Sequence, residues 1–165
     1  MILIADSGST KTDWSVCRAG EVVQAIQTQG INPYHQPEEV IAGVLNDEFK
    51  TALRVELEPE TKVIFYGAGC ANESACSRVK KVIEVTLGLT DIQVYTDLLG
   101  AARALCGRSE GIACVLGTGS NSCLYDGEKI IANVPSLGYI LGDEGSGAVL
   151  GKRLVSDLLK NQLSD

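Results

Sequence analysis

Met1-Ile2-Leu3-Ile4-Ala5-Asp6-Ser7-Gly8-Ser9-Thr10-Lys11-Thr12-Asp13 opens the chain, and its reading decides the fold. The apolar run at its start predicts a buried strand, and the glycine- and hydroxyl-rich run after it predicts a tight turn. Such a turn crowds backbone N–H groups and hydroxyls together, a chemistry that grips phosphate with little positive charge. The arrangement returns later, where Gly111-Ile112-Ala113-Cys114-Val115-Leu116 leads into Gly117-Thr118-Gly119-Ser120-Asn121-Ser122. Two such turns suggest two half-sites that close on one nucleotide.

Outward from the first turn, Asp13–Arg18 and Glu21–Gln27 complete a three-strand meander with residues 2–5. Gly30-Ile31-Asn32-Pro33-Tyr34 reads as a loop, because Pro33 and Pro37 forbid regular pairing. The apolar spacing predicts a helix from Pro37 to about Val55, a strand at Lys62–Tyr66 and a helix at Glu73–Leu87. A strand at Asp91–Thr96 and a helix at Leu98–Cys106 follow. Three short strands then recur at Ile112–Leu116, Ser122–Tyr125 and Lys129–Asn133, with Asp126-Gly127 as a hairpin turn. Val134–Gly142 is read as a loop, and Gly145 to about Leu163 as a helix. The order βββ-α-β-α-β-α, then βββ-α, implies an α/β sheet covered by helices.

Composition bounds the partners. The chain has 165 residues, 45% hydrophobic and 21% charged, with a net charge of −7. That acidity argues against nucleic acid or an anionic membrane, both of which reward a basic face. A phosphate ligand would need amides, hydroxyls and a divalent cation. The six Cys form no CxxC pair and the chain has one His, His35, so zinc-finger and iron–sulfur spacings are absent. The cysteines are expected to be buried free thiols in a reducing cytoplasm. No signal peptide or apolar run near 18 residues is present in the sequence. GxxxxGK[ST] is not found, and Gly117-Thr118-Gly119 meets GxGxxG only until Ser122 takes the third glycine's place.

The turn Asp6–Thr12 resembles the first phosphate loop of the actin/hexokinase/Hsp70 ATPase superfold, and Gly117–Asn121 resembles its second. With Thr96-Asp97 and Leu137-Gly138…Gly142-Asp143-Glu144-Gly145-Ser146, these segments resemble the N-acetylglucosamine kinases of the BadF/BadG ATPase group. The resemblance implies a ribonuclease H-like, actin-like lobe over residues 1–108 and the start of a similar lobe over 109–165. The family's adenosine-binding segments are then missing.

By the same resemblance, ATP would donate its γ-phosphoryl group to a sugar hydroxyl. Asp97 would be the general base, and Asp6 would hold Mg²⁺ through water. Gly8, Ser9, Thr10, Lys11, Thr118 and Gly119 would hold the phosphates. Asn32, Ser120, Asn121, Ser136, Leu137, Gly138 and Asp143 would border the sugar. Each position also has a plainer reading. Asp6 would cap its turn, Lys11 would be a solvated lysine, and Asp97 a helix N-cap. Thr118–Ser120 would be an ordinary hairpin turn, Asn32 an ordinary loop residue, and Asp143 and Glu144 complements to a helix dipole. His35 is read as a surface residue, and Trp14 and Tyr125 as packing residues.

Two other functions compete with the sugar kinase. One is an ATPase activator with an iron–sulfur cluster, disfavoured because Cys114 and Cys123 sit in strands. The other is a non-catalytic lobe whose uncovered strands call for a longer polypeptide, a homodimer or a covering partner.

Overall fold

The computed structural model describes residues 1–134 and 136–163. They form two compact units, Met1–Gly100 and a second beginning at Ala101. The division falls inside a helix, whereas the sequence places it at about residue 108.

The first unit is a five-stranded sheet of order β3-β2-β1-β4-β5. It comprises β1 (Ile2–Ser7), β2 (Lys11–Arg18), β3 (Glu21–Gln29), β4 (Lys62–Gly67) and β5 (Ile92–Thr96). The meander β1-β2-β3 is antiparallel, and β4 and β5 run parallel to β1. Strand alternation gives the sheet one apolar face. Leu3, Ala5, Trp14, Val16, Val63 and Phe65 are buried there against Ile41, Leu45, Phe49, Val79 and Ile83. Trp14 is the hub, its ring 4.6 Å from Phe49 and 6.0 Å from Phe65 between centroids. Its indole N–H is satisfied by Thr28 Oγ1 at 3.0 Å.

The helices explain which face is covered. The region predicted as one helix from Pro37 is α1 (Glu38–Gly43), a π-helical stretch Val44–Phe49 and α2 (Lys50–Ala52). The wider π turn lets Val44, Leu45 and Phe49 all reach the core, a spacing an ideal α-helix would splay. The chain leaves the helix at Leu53, where ψ is 128°. Helix α3 (Glu73–Leu87) begins at Asn72, whose Oδ1 accepts from Ala75 N at 2.9 Å, and ends at left-handed Gly88. Helix α4 (Asp97–Cys106) starts directly at the end of β5.

The second unit has a three-stranded antiparallel sheet of β6 (Gly111–Leu116), β7 (Ser120–Tyr125) and β8 (Ile130–Val134). The Asp126-Gly127 hairpin has two physical causes. Asp126 Oδ1 accepts from Glu128 N and Lys129 N at 2.9 and 2.8 Å. Gly127 adopts φ +99°, and any Cβ there would strike Arg108 O. The segment 134–142, read as loop, contains the short helix α5 (Gly138–Leu141), started by Gly138 at φ +74°. Helix α6 (Gly147–Leu159) is shorter at both ends than the periodicity suggests, because Ser146 caps its start and Lys160 leaves the helical region.

Burial differs between the units. Ala113, Cys123 and Tyr125 are buried in the second, but no side chain of α6 is. Leu150, Leu154, Val155, Leu158 and Leu159 of α6 are all more than half exposed, as are Ile112, Leu116, Ile131 and Val134. The cysteines follow this pattern. All six are free thiols, yet only Cys70 and Cys123 are buried. Cys114 is exposed, contrary to the sequence expectation, because it shares the uncovered face of β6 with Ile112 and Leu116.

Candidate active site

The carboxyl ends of β1, β4 and β5 meet on the sheet face away from the core. Register places Asp6 opposite Asp13 on β2 and opposite Tyr66 on β4, and Tyr66 opposite Tyr95 on β5. The Tyr66 and Tyr95 rings stack at 5.7 Å. Asp97 follows β5 directly. Burial raises the Asp6 pKa above 3.8, and the charges of Asp97 and Asp13 raise it further, with Lys11 opposing. This corner is short of positive charge.

The first turn is closed by Gly8 N donating to Lys11 O at 2.9 Å. Gly8, Ser9, Thr10 and Lys11 all lie on it. A Cβ on Gly8 would meet Lys11 O at 3.7 Å, an ordinary contact, so the turn itself does not require glycine. The Lys11 ammonium lies 2.6 Å from Asp13 Oδ2. A hydrogen bond from Gln27, and then Lys11, hold the Asp13 carboxyl below its ordinary value. Ser7 and Thr12, the other hydroxyls of the motif, face inward. Ser7 Oγ accepts from Ile31 N at 2.9 Å, and Thr12 Oγ1 donates to Gln29 O at 3.0 Å. They fasten the next loop to the turn. Asp97 Oδ1 accepts from Leu98 N at 2.8 Å and from Thr96 Oγ1 at 3.1 Å, leaving Oδ2 without a recorded intramolecular bond among the described residues.

Asn32 is buried beside this turn. Its Nδ2 donates to Ser9 Oγ at 3.3 Å and its Oδ1 accepts from Tyr34 N at 3.0 Å. Several supports of this loop were not singled out from sequence. A Cβ on Gly30 would run into Gly8 O and Ser9, so only glycine lets the loop pass the turn so closely. Gln36 accepts from Asn32 N at 2.8 Å and donates to Gly30 O at 2.9 Å. Arg78 reaches across from α3. Gly30 belongs to the Gly30-Ile31-Asn32-Pro33 loop, but Gln36 and Arg78 carry no local signal, since their partners are set by tertiary contact.

In the second turn, Gly117 N donates to Gly119 O at 2.9 Å, leaving Thr118 exposed at the tip. The start of α6 is tied to it, with Gly147 N donating to Gly117 O at 2.8 Å. Asp143 is 7% exposed and sits in the left-handed region at φ +61°. Its Oδ1 accepts from Ser136 Oγ and from Ser120 N, the latter at 3.3 Å. A Cβ on Gly119 would lie 3.1 Å from this carboxylate, so Gly119 permits its approach. Asn121 Oδ1 accepts from Asn133 Nδ2 at 2.8 Å, a partner that sequence reasoning missed. An open cleft of about 390 Å³ is lined by Ser120, Asn121, Ser136, Leu137 and Asp143. Gly138, the first residue of α5, is not part of that lining.

No three His, Cys, Asp or Glu side chains cluster at metal-holding distance among the described residues. No helix among them is long and apolar enough to cross a membrane.

No family model matches the chain. An N-acetyl-D-glucosamine kinase of Dictyostelium discoideum is 26% identical over 94% of this chain and 53% of its own length. A solved structure assigned to an N-acetylglucosamine kinase of Porphyromonas gingivalis is 52% identical, with a TM-score of 0.94 over 100% of this chain and 58% of its own. Another so assigned, from Chromobacterium violaceum, is 22% identical with a TM-score of 0.74, over 99% and 59%. The chain therefore spans between half and three fifths of the length of these relatives. In sequence and in fold it is similar to N-acetylglucosamine kinases, and it is built on the actin-like ATPase architecture.

Proposed function

We propose that the protein to which this chain belongs transfers the γ-phosphoryl group of ATP to a hydroxyl of N-acetylglucosamine, giving the 6-phosphate. The observation that carries the reading is the pair of aspartates at the carboxyl ends of parallel β1 and β5. They lie at the same end of the sheet, on parallel strands separated only by β4. Open α/β sheets bind ligands at this edge.

The division of labour follows from the surroundings. Asp97 takes the proton from the attacking sugar hydroxyl at its free Oδ2. A carboxylate is a weak base near neutral pH, so fixed placement does most of the work, and the bonds from Leu98 N and Thr96 Oγ1 supply it. Asp6 fits a hydrated Mg²⁺, because a carboxylate beside two others is relieved by a cation. Mg²⁺ bound with ATP neutralises the charge of the transferred group. Gly8, Ser9, Thr10 and Lys11 are the proposed phosphate contacts of the first turn, and Thr118 and Gly119 those of the second. Asn32, Ser120, Asn121, Ser136, Leu137, Gly138 and Asp143 are the proposed sugar contacts, with Asp143 accepting from a sugar hydroxyl.

Titration calorimetry with N-acetylglucosamine, glucose and N-acetylmannosamine tests the substrate. Selective heat from N-acetylglucosamine, lost in Asp143→Ala, is the expected result. No heat from any of the three sugars, on folded protein, overturns it.

A further inference from the structure

We infer that Arg78, assisted by Gln36, is a positioning residue that presents Asn32 to the sugar; this rests on the proposed sugar-kinase reading. Arg78 lies on α3 beside Val79, which is fully buried in the core. Its Nη2 donates to Pro33 O at 2.6 Å and to Gln36 O at 2.7 Å. Those carbonyls flank the tip of the loop that carries Asn32. The guanidinium makes no ion pair within 4.0 Å among the described residues, and its Nε is buried without a partner. An arginine held this way is an unusual expense for a loop that needs only to turn, since a buried N–H without an acceptor opposes folding. Its bonds all go to the backbone on either side of Tyr34 and His35, which are themselves exposed.

Gln36 closes the other side of the same loop. Its side chain spans Asn32 N and Gly30 O, and its own N donates to Asn32 O at 3.0 Å. The result is that Asn32 has its backbone held from both ends and its amide oriented by Tyr34 N and Ser9 Oγ. The Asn32 carbonyl oxygen thus points one way and its NH₂ the other before any ligand arrives. Preorganisation of this kind reduces the ordering cost of binding. The Ser9 contact also links the loop to the first phosphate turn.

The test combines two readouts on wild type, Arg78→Ala, Arg78→Lys and Gln36→Leu. Amide hydrogen exchange follows residues 31–36 against α3, and calorimetry gives the N-acetylglucosamine Kd. The expected result for Arg78→Ala is at least tenfold faster exchange in the loop, unchanged exchange in α3 and about tenfold weaker sugar binding. Arg78→Lys, able to donate to one carbonyl, recovers part of both effects. Gln36→Leu loosens the loop without touching α3 and covers the case in which Arg78→Ala does not fold. Unchanged loop exchange in both truncations overturns the proposal, as does a loosened loop with an unchanged Kd. If wild type binds no sugar, the kinase reading fails on that ground. The presentation of Asn32 to a sugar then falls with it, even where exchange shows that Arg78 and Gln36 hold the loop.

Discussion

At the scale of single residues, geometry separates side chains that the fold needs from those it leaves free. Gly8 has room for a Cβ, so Gly8→Ala is expected to change stability by less than about 0.5 kcal/mol. On the proposed reading the same methyl would stand where phosphate approaches, and ATP binding should weaken at least tenfold, as nucleotide titration would read. Equal weakening of stability and binding would mean a structural glycine instead. For Asp97, Asn is the informative replacement, because it preserves an acceptor for Leu98 N while removing the base. On the proposed kinase reading, Asp97→Asn should lower kcat by about 10²- to 10⁴-fold with little change in melting temperature. Retained turnover would remove Asp97 from the chemistry. Asp6 gives a pH signature. Its carboxyl is held above 3.8 in the folded chain, so the native state keeps a proton that the unfolded chain has already released. Stability contributed by Asp6 therefore falls as pH rises from about 4 through the raised value. Asp6→Asn should stabilise the chain at pH 7 relative to pH 4, by under about 1 kcal/mol because the group is partly exposed and screened. A gap between variant and wild type that is the same at both pH values would contradict the electrostatic account.

At the scale of elements, the helix ends divide between support and site. Asn72 caps α3 on the outside of the first unit, far in sequence from either turn. Asn72→Ala should cost about 1 kcal/mol in urea unfolding and leave sugar and nucleotide affinity unchanged. Ser146 caps α6 and is fully buried, and α6 in turn bonds the second turn through Gly147 N. Ser146→Ala should therefore loosen the turn as well as the helix, visible as faster exchange at Gly147 and Ala148. Faster exchange confined to the middle of α6 would contradict that coupling. The π-helical stretch shows how packing overrides a local period. Its apolar residues read as part of an ordinary helix, and only the demand that Val44, Leu45 and Phe49 share one core widens the turn.

At the scale of the molecule, the two units differ in kind. The first has a core with large aromatics at its centre, whereas the second keeps three strands and an amphipathic helix whose apolar side chains face water. Amide exchange should reflect this directly. Amides of β1 and β4 are expected to exchange only through global opening, and those of α6 many-fold faster. A hydrophobic dye should bind the native chain at its second unit. Equal protection in α6 and β1 would show that the exposed stripe is covered in solution. The exposure also accounts for the misjudged Cys114, since its strand-like context predicted burial on the assumption that both sheet faces are covered.

The fold of the first unit was legible because its rules are local. Apolar runs in residues 2–5 and 62–66, and helical spacing in 73–87, mark these elements before any partner is known, whereas the alternate burial along the two strands is set by packing. Glycine and hydroxyl clustering likewise marked both turns, because tight reversals draw on few residue types. The supports of the site were not legible. Gln36 and Arg78 act on a loop they do not resemble in any motif, and Arg78 lies 45 residues from Pro33. The approach that requires Gly30, the π widening, α5 inside an expected loop and the exposure of Cys114 all depend on what lies across space. Neighbours along the chain constrain backbone direction and polarity. Distances between segments far apart in sequence are set by how the packed core brings them together, and they decide which amide, carboxylate or guanidinium holds the candidate site.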